Sequence, residues 1–402
     1  MCIRDSITFL VNMYKAKILT HFTPSIWKEA KLIFIPKPGK DSYSNPKSWR
    51  PISLTNYPIK ALEKLCVWYT DKLIKTMPIH SNQHGFRNDR STETAISDVV
   101  NYVEQNIFYG KHILATFLDI QAAFDTIHPD QIKKSLLNKN IDENTAEWYF
   151  NYITHRNIIL TINDTTIKKT IGTGFPQGGV CSAKFWIIAF DEAIQIINEL
   201  GLEGHGFADD CCTMIAGNNL HQMMSKMQKV INKLTDWGKT IGLTFNPDKT
   251  VVIILTTANL KSYQYPNRLI INSNRINFSH TTKYLGITLD SKLLWTPHWD
   301  NVIKRAKEYL FMIIPQLAKK WGPNPIYIKW VYTAVIRPRI MYAFIIWGHT
   351  HTSGKKMEDL HKINALACKM ITPITQTTPR KALEIIYDLI PLDLFGTYEA
   401  IV

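Results

Sequence analysis

The sequence has no run of about eighteen uncharged apolar residues, the length a membrane-spanning helix needs. Its most apolar late stretch, WVYTAVIRPRIMYAFIIWG, is broken by Arg337, Pro338 and Arg339. The six cysteines, Cys2, Cys66, Cys181, Cys211, Cys212 and Cys368, include no C-x-x-C pair and no zinc-type spacing with histidine, so neither a disulfide framework nor a zinc ribbon is indicated. Neighbouring Cys211 and Cys212 read as small buried apolar residues, which fits an intracellular, reduced protein. The N-terminal stretch lacks the apolar core and small-residue cleavage site of a secretory signal. No internal repeat and no low-complexity tract occurs. Acidic residues are also scarce: 33 Asp and Glu stand against 47 Lys and Arg, a net charge of +14.

What is present is an ordinary folded composition, 45% hydrophobic and 20% charged over 402 residues. That length predicts two or three subdomains rather than one core. A basic, folded chain attracts phosphate, from nucleic acid or from an anionic membrane surface. Without a spanning helix, nucleic acid is the better partner. Residues 1–6, MCIRDS, back-translate as ATG TGT ATA AGA GAC AG(C/T), similar to the end of a transposase-based sequencing-library adapter. They are expected to be an assembly artefact, and the chain a fragment of a larger polypeptide.

Along the chain, TPSIWKEA predicts a helix start at Thr23-Pro24. KLIFIP (31–36) predicts a short strand followed by a basic loop rich in Pro, Gly and Ser. Leu62, Leu65, Cys66, Tyr69, Leu73 and Ile74 form a helical stripe over 60–77. HILATFLD (112–119) carries no charge until its last residue and reads as a strand buried on both faces. Residues 157–174 read as a hairpin and 180–200 as a helix ended by Gly201. Two short strands flank Asp209-Asp210, and an amphipathic helix over 220–238 is expected to stop at Gly238. Beyond residue 290 strands vanish. Helices are predicted to begin at Thr296-Pro297 and near Pro325, in a segment (291–350) with nine Lys/Arg against two Asp/Glu, interleaved with Trp and Tyr. The order predicts an α+β fold: a split β-α-β sheet backed by helices on one face, beside a basic helical module.

The sharpest feature is GHGFADDCCT (204–213), two adjacent aspartates inside an apolar stretch. If Asp119 and Asp209-Asp210 lie on neighbouring strands, three carboxylates converge and need cations to neutralise them. Hard oxygen ligands suit Mg²⁺ shared with substrate phosphates. Two such ions about 3.5–4 Å apart can hold the attacking and leaving oxygens of a phosphoryl transfer. Spacing alone leaves polynucleotide synthesis and cleavage both open.

The motifs ATFLDIQAAFDTI, GFPQGGVCSAKFW, GFADDCCTM, GLTFNPDKTVVII and TKYLGITLD occur in the order and spacing of reverse transcriptase palm motifs. IPKPGKDSYSNPKSWRPISLTN and QHGFRNDRSTETAI resemble the finger motifs of non-LTR (LINE-type) retrotransposon polymerases. The resemblance covers roughly residues 25 to 350 and implies a right-hand polymerase. Fingers would occupy 7–111, an antiparallel-sheet palm 112–290 with an inserted finger hairpin near 157–174, a helical thumb 291–350, and a truncated connecting region 351–402. The tail TTPRKALEIIYDLIPLDL is similar to the linker that follows the thumb in such proteins.

By position, the resemblance implies that Asp119, Asp209 and Asp210 ligate two Mg²⁺ ions (Mn²⁺ as a substitute), with the Ile120 carbonyl assisting. Phe124 matches the aromatic that excludes a 2′-hydroxyl. Gln177 and Gly178 match residues at the incoming nucleotide, Arg87 a finger arginine on the triphosphate, and Lys249 a lysine that protonates the leaving pyrophosphate. Tyr284, Leu285 and Gly286 match the primer grip. Lys184 departs from the pattern, at a helix position where the family is usually apolar, and either weakens packing or adds a phosphate contact. The implied function is RNA-directed DNA polymerase, a nucleotidyltransferase of a transposable element. Its partners would be an RNA template, a DNA primer or target, and deoxynucleoside triphosphates. It would have no membrane association and would reside in the nucleus or a cytoplasmic ribonucleoprotein; oligomeric state is open. An organellar intron reverse transcriptase and a catalytically inactive nucleic-acid-binding remnant stand as alternatives.

Overall fold

The computed structural model describes residues 3–258, 269–317, 324–351, 354–371 and 377–401. Met1 and Cys2, part of the suspected adapter segment, lie outside them. Two compact units are present: Met1–Ala95, Lys111–Val252 and Leu260–Phe278 make the first, and Ile96–Gly110, Ile253–Asn259 and Ser279–Val402 the second.

The first unit opens with α1 (Ile3–Leu19), β1 (Glu29–Pro36), β2 (Trp49–Thr55) and α2 (Tyr57–Ile74). α3 (Thr92–Phe108), mostly in the second unit, precedes β3 (His112–Gln121), α4 (Ala123–Thr126), α5 (Pro129–Asn138) and α6 (Glu143–Ile153). Then come β4 (Arg156–Ile162), β5 (Thr165–Ile171), α7 (Ser182–Glu199), β6 (Glu203–Phe207), β7 (Asp210–Gly217), α8 (Leu220–Ile241), β8 (Thr244–Phe245) and β9 (Val251–Leu255). One sheet has the order β2-β1-β4-β5, with β4 and β5 forming the expected hairpin. The other centres on β3, which pairs antiparallel with β7, and β7 in turn with β6. β3 is buried from Ile113 to Leu118, as its uncharged run predicts. Trp148, Tyr149, Tyr152, Phe185, Trp186 and Phe190 fill the helical layer, with Tyr149 meeting Phe185 edge-on at 4.0 Å. The α+β class is borne out.

Several local expectations are corrected. At Thr23-Pro24 only a single 3₁₀ turn (Ser25–Lys28) forms before β1, because residues from Ala30 onward pair with β2. The buried face of α2 is Ile59, Leu62, Glu63, Cys66, Thr70 and Ile74; Leu65 and Tyr69 are exposed. α8 runs past Gly238 to a left-handed Gly242 at φ 86°. Inside the helix, Gly238 instead admits the Leu243 carbonyl, 3.0 Å from where a Cβ would stand.

In the second unit, β13 (Thr281–Tyr284) and β14 (Ile287–Asp290) make an antiparallel hairpin. (Between β9 and β13 the first unit adds the short β10, Ile270–Ile271, β11, Asn274–Arg275, and β12, Asn277–Phe278.) Helices follow, led by α9 (Thr296–Leu317). The apolar stretch from Trp330 breaks into short pieces around a π turn at Tyr332–Ile336 and Pro338. None of the described helices is long and apolar enough to cross a membrane. Trp295, Trp299 and Trp347 are fully buried, and Trp299 meets Trp347 edge-on at 4.9 Å. Asp290 shapes the exit from the hairpin: its carboxylate accepts from the amides of Lys292, Leu294 and Trp295 at 3.1, 3.1 and 2.7 Å.

Candidate active site

The register of two strands brings the carboxylates together. Asp119, near the end of β3, lies directly opposite Asp210, the first residue of β7. Facing pairs in an antiparallel ladder present their side chains to the same face. Phe207 pairs with Asp210 across the β6–β7 hairpin, so Ala208 and Asp209 form its two-residue turn. Ala208 adopts φ 54°, the left-handed region that costs an ordinary residue free energy. Two contacts hold it there. The Trp186 indole N–H on α7 donates to the Ala208 carbonyl at 2.5 Å. Gly85 packs its bare backbone against the turn, leaving only 2.3 Å between a would-be Cβ and the Ala208 nitrogen.

Gly85 arrives there because its segment adds to the sheet edge. The Gly206 amide donates to Asn82 and the His84 amide to Gly206, at 2.9 and 2.8 Å. Arg87 fixes this segment rather than reaching outward with its Nη1, which donates to the His80 and Gln83 carbonyls at 2.6 and 2.9 Å.

Electrostatics match the expected imbalance. Although Asp210 as a residue keeps solvent access, desolvation of its carboxyl, followed by the neighbouring charges of Asp209 and Asp119, pushes it up from 3.8 to about 6. Asp119 Oδ2 is buried and accepts no hydrogen bond among the described residues, and Lys249 Nζ stands 3.5 Å from it. The Asn246–Thr250 turn wraps the Asp119 backbone, with the Asn246 amide donating to the Asp119 carbonyl at 2.8 Å. The Asp119 and Asp210 carboxylates on a common face, with Asp209 in the adjoining turn, are a fitting hard-oxygen donor set for Mg²⁺. Ile120 follows Asp119 on β3, its side chain buried, and pairs with Phe245.

Phe124 sits on α4, just after Ala122 turns the chain at φ 47°, and its ring lies 5.3 Å from that of Trp186. Trp186 thus touches both the aromatic and the acidic turn. Gln177 donates through Nε2 to Asp125 Oδ1 at 2.9 Å, and its carbonyl accepts from the Ser53 amide at 2.7 Å. Gly178, at φ 108°, passes within 3.1 Å of the Ser53 carbonyl when given a Cβ. Asp119, Asp209, Asp210, Lys249, Phe124, Gln177 and Gly178 therefore belong to connected parts of the first unit. In the second, Tyr284 is buried, and Leu285 and Gly286 (φ 44° and 91°) form a two-residue turn of the kind that suits twisted strands. The Tyr342 hydroxyl donates to the Leu285 carbonyl at 2.8 Å. Lys184 is occupied by an ion pair with Asp71 of α2 at 2.5 Å, which accounts for its place on α7 by a partner inside the protein.

Residues 35–289 match the family described as reverse transcriptase (RNA-dependent DNA polymerase). The chain belongs to this family. A probable RNA-directed DNA polymerase from transposon BS of Drosophila melanogaster is 27% identical over 354 residues, covering 85% of this chain and 38% of the relative. A Pol polyprotein from the type-1 retrotransposable element R1 of Bradysia coprophila is 22% identical over 392 residues, covering 97% and 38%. The chain thus spans less than half the length of these curated relatives. Among solved structures, a telomerase from Candida albicans in complex with a telomeric RNA fragment aligns with 94% of this chain and 67% of its own, at 10% identity and a TM-score of 0.49.

Three buried residues of the first unit, Trp186, Glu63 and Arg156, escaped sequence reasoning. Trp186 reads as one more apolar residue of an apolar helix. Glu63 hides in a stripe assigned to other residues. Arg156 opens a strand where a basic residue is unremarkable. Only a charged residue at helical spacing with Ile59, Leu62 and Cys66 signals the second of them.

Proposed function

We propose that this chain is the polymerising segment of a non-LTR retrotransposon reverse transcriptase, extending a DNA 3′-hydroxyl along an RNA template with deoxynucleoside triphosphates. The observation that carries the reading is the Asp119–Asp210 register with Asp209 in the adjoining turn. Residues 7–111 would serve as fingers, 112–290 as palm, 291–350 as thumb and 351–402 as connecting region. Asp119, Asp209 and Asp210, with the Ile120 carbonyl, would hold two Mg²⁺ ions. When bound, these supply positive charge to the attacking hydroxyl and the phosphate oxygens.

The protein's own groups divide the remaining work. Phe124, braced by Trp186, presents an aromatic surface to the sugar and excludes a 2′-hydroxyl. Gln177 and Gly178 approach the nucleotide on a loop fixed from behind. Lys249 is assigned the proton that leaves with pyrophosphate. Arg87 acts on the triphosphate only through the arm left beyond its two carbonyl bonds. Tyr284, Leu285 and Gly286 place the primer end. The net charge of +14 suits a template–primer backbone. A nuclear or cytoplasmic ribonucleoprotein setting accompanies this reading.

The test is primer extension on an annealed RNA template with Mg²⁺ and deoxynucleotides, beside Asp209→Asn/Asp210→Asn. Extension confined to the unsubstituted protein supports the proposal. Template–primer binding that ignores Mg²⁺, with no synthesis, would replace it with the inactive-remnant reading. Phe124→Ala tests the sugar filter separately: ribonucleotide incorporation should rise, and unchanged discrimination removes Phe124 from that role.

A further inference from the structure

The loop GTGFPQGGV (172–180) carries Gln177 and contains four glycines. Glycine permits the close backbone approaches seen at Gly174 and Gly178, but such a segment loses much conformational freedom when fixed. Something outside the loop has to hold it. Two charged side chains from other elements, both buried, reach its two ends. At the start, Arg156 of β4 donates from Nη2 to the Thr173 and Gly174 carbonyls, both at 2.8 Å, and from Nε to the Ile153 carbonyl at 2.9 Å. At the end, Glu63 of α2 accepts the Val180 amide at 3.2 Å, and its main-chain carbonyl accepts the Cys181 thiol at 3.3 Å. The second carboxylate oxygen of Glu63 fills the space beside Gly179, 3.1 Å from where a Cβ would be.

Buried charges are a poor way to gain stability, since well-packed apolar side chains do as well or better. No salt bridge between Glu63 and Arg156 is formed. Three of their hydrogen bonds, two from Arg156 and one to the Glu63 carboxylate, have a different common feature: they run to the main chain at opposite ends of one loop. Between these ends the loop meets the rest of the site, through Phe175 donating to the Phe124 carbonyl at 2.6 Å and through the Gln177 contacts.

We propose that Glu63 and Arg156 form a buried polar clamp that holds the 172–180 loop at both ends and so sets Gln177 at the incoming nucleotide. They are positioning residues, and their effect on nucleotide use rests on the polymerase reading above. Gly172 and Gly178 supply the loop's freedom, and the clamp removes it. Loss of either end should loosen the loop without disturbing the carboxylates on β3 and β7.

Two readouts on the full chain separate the clamp from the polymerase reading. The first is hydrogen exchange across 172–181 in Arg156→Met, with Glu63→Gln as the milder variant that keeps an acceptor for Val180 but loses its charge. Faster exchange confined to this segment is expected, with β3 and β7 protected as before, and with a smaller change in Glu63→Gln. The second is steady-state extension. The KM for deoxynucleotide should rise about tenfold in Arg156→Met while kcat stays within about threefold, as for lost uniform binding, and template–primer affinity should not move. If the unsubstituted chain does not polymerise, the exchange result still decides the clamp. Exchange that is unchanged in both variants, or raised evenly over the whole unit, overturns it. So does a fall in kcat with KM constant. If Arg156→Met does not fold, Glu63→Gln alone carries both tests.

Discussion

Two hairpins in this molecule end in two-residue turns built almost alike. In the first unit Ala208-Asp209 joins β6 to β7; in the second Leu285-Gly286 joins β13 to β14. Each first residue is a non-glycine in the left-handed region, at φ 54° and 44°. Each first carbonyl accepts a hydrogen bond from an aromatic side chain further along the chain or on a neighbouring helix, Trp186 in one case and Tyr342 in the other. They differ at the second residue. Gly286 takes φ 91° with no side chain, whereas the equivalent place holds Asp209, followed at once by Asp210. The architecture of a tight turn is therefore separable from the chemistry mounted on it. One turn positions backbone; the other also concentrates negative charge that the fold alone leaves unbalanced.

The comparison breaks most decisively at the acidic turn. Asp209→Asn preserves the turn's shape and removes the charge. If Asp209 holds catalytic ions as proposed, primer extension should fall by about a thousandfold or more, while circular dichroism and thermal midpoint stay close to those of the unsubstituted protein. Retained extension would mean that the acidic turn is no more than a turn. Gly286→Ala is the mirror experiment. It adds a methyl 3.1 Å from the Tyr342 ring at a φ that disfavours it, at a cost of about 1–3 kcal/mol. Denaturant unfolding should register that loss. Extension should suffer through a higher requirement for template–primer rather than through kcat, and a kcat defect at saturating primer would count against the assignment.

How much of this was legible beforehand follows from what each residue answers to. Strand β3 was readable because a run buried on both faces needs no partner to be recognised, and Asp119 stands out at its end. The acidic pair was readable because two carboxylates in apolar surroundings violate a local rule. Gly238 was misread as a helix stop because a glycine admitting a neighbour's carbonyl looks, in sequence, like one adopting a left-handed cap. Leu65 and Tyr69 drew the face of α2 one step aside, since apolar residues at the lip of a core count the same as those inside it. That shift concealed Glu63. The commitment of Arg87 to two carbonyls depends on where residues 80–85 fold, which no local pattern contains.

A smaller effect sharpens the likeness between the turns. Trp186→Phe and Tyr342→Phe each delete one hydrogen bond to a turn carbonyl while keeping a ring in place, and each should cost about 1 kcal/mol. The functional consequences should diverge. Trp186→Phe loosens the support of Asp209 and should lower the apparent affinity for Mg²⁺ in extension assays. Tyr342→Phe should leave that affinity alone. Equal Mg²⁺ titrations for the two variants would show that the indole contact is only structural.

The gentlest test is a titration without metal. Asp210 has its carboxyl pushed up to about 6 in the fold, against an ordinary 3.8, so between these values the folded chain holds a proton that the unfolded chain has released. Stability from this group must then fall as pH rises through that window and level off above about 6. Asp209 is one of the charges responsible, so Asp209→Asn should lower the Asp210 value and shallow the slope, readable by carboxyl NMR and by thermal midpoints in chelator. Adding Mg²⁺ should oppose the raised value and release the proton near pH 6, where ligand binding competes with protonation. A slope unaffected by Asp209→Asn would assign the shift to desolvation and the Asp119 charge instead. The Leu285-Gly286 turn, with no carboxylate of its own, provides the control: Gly286→Ala should move the midpoint equally at every pH in the window.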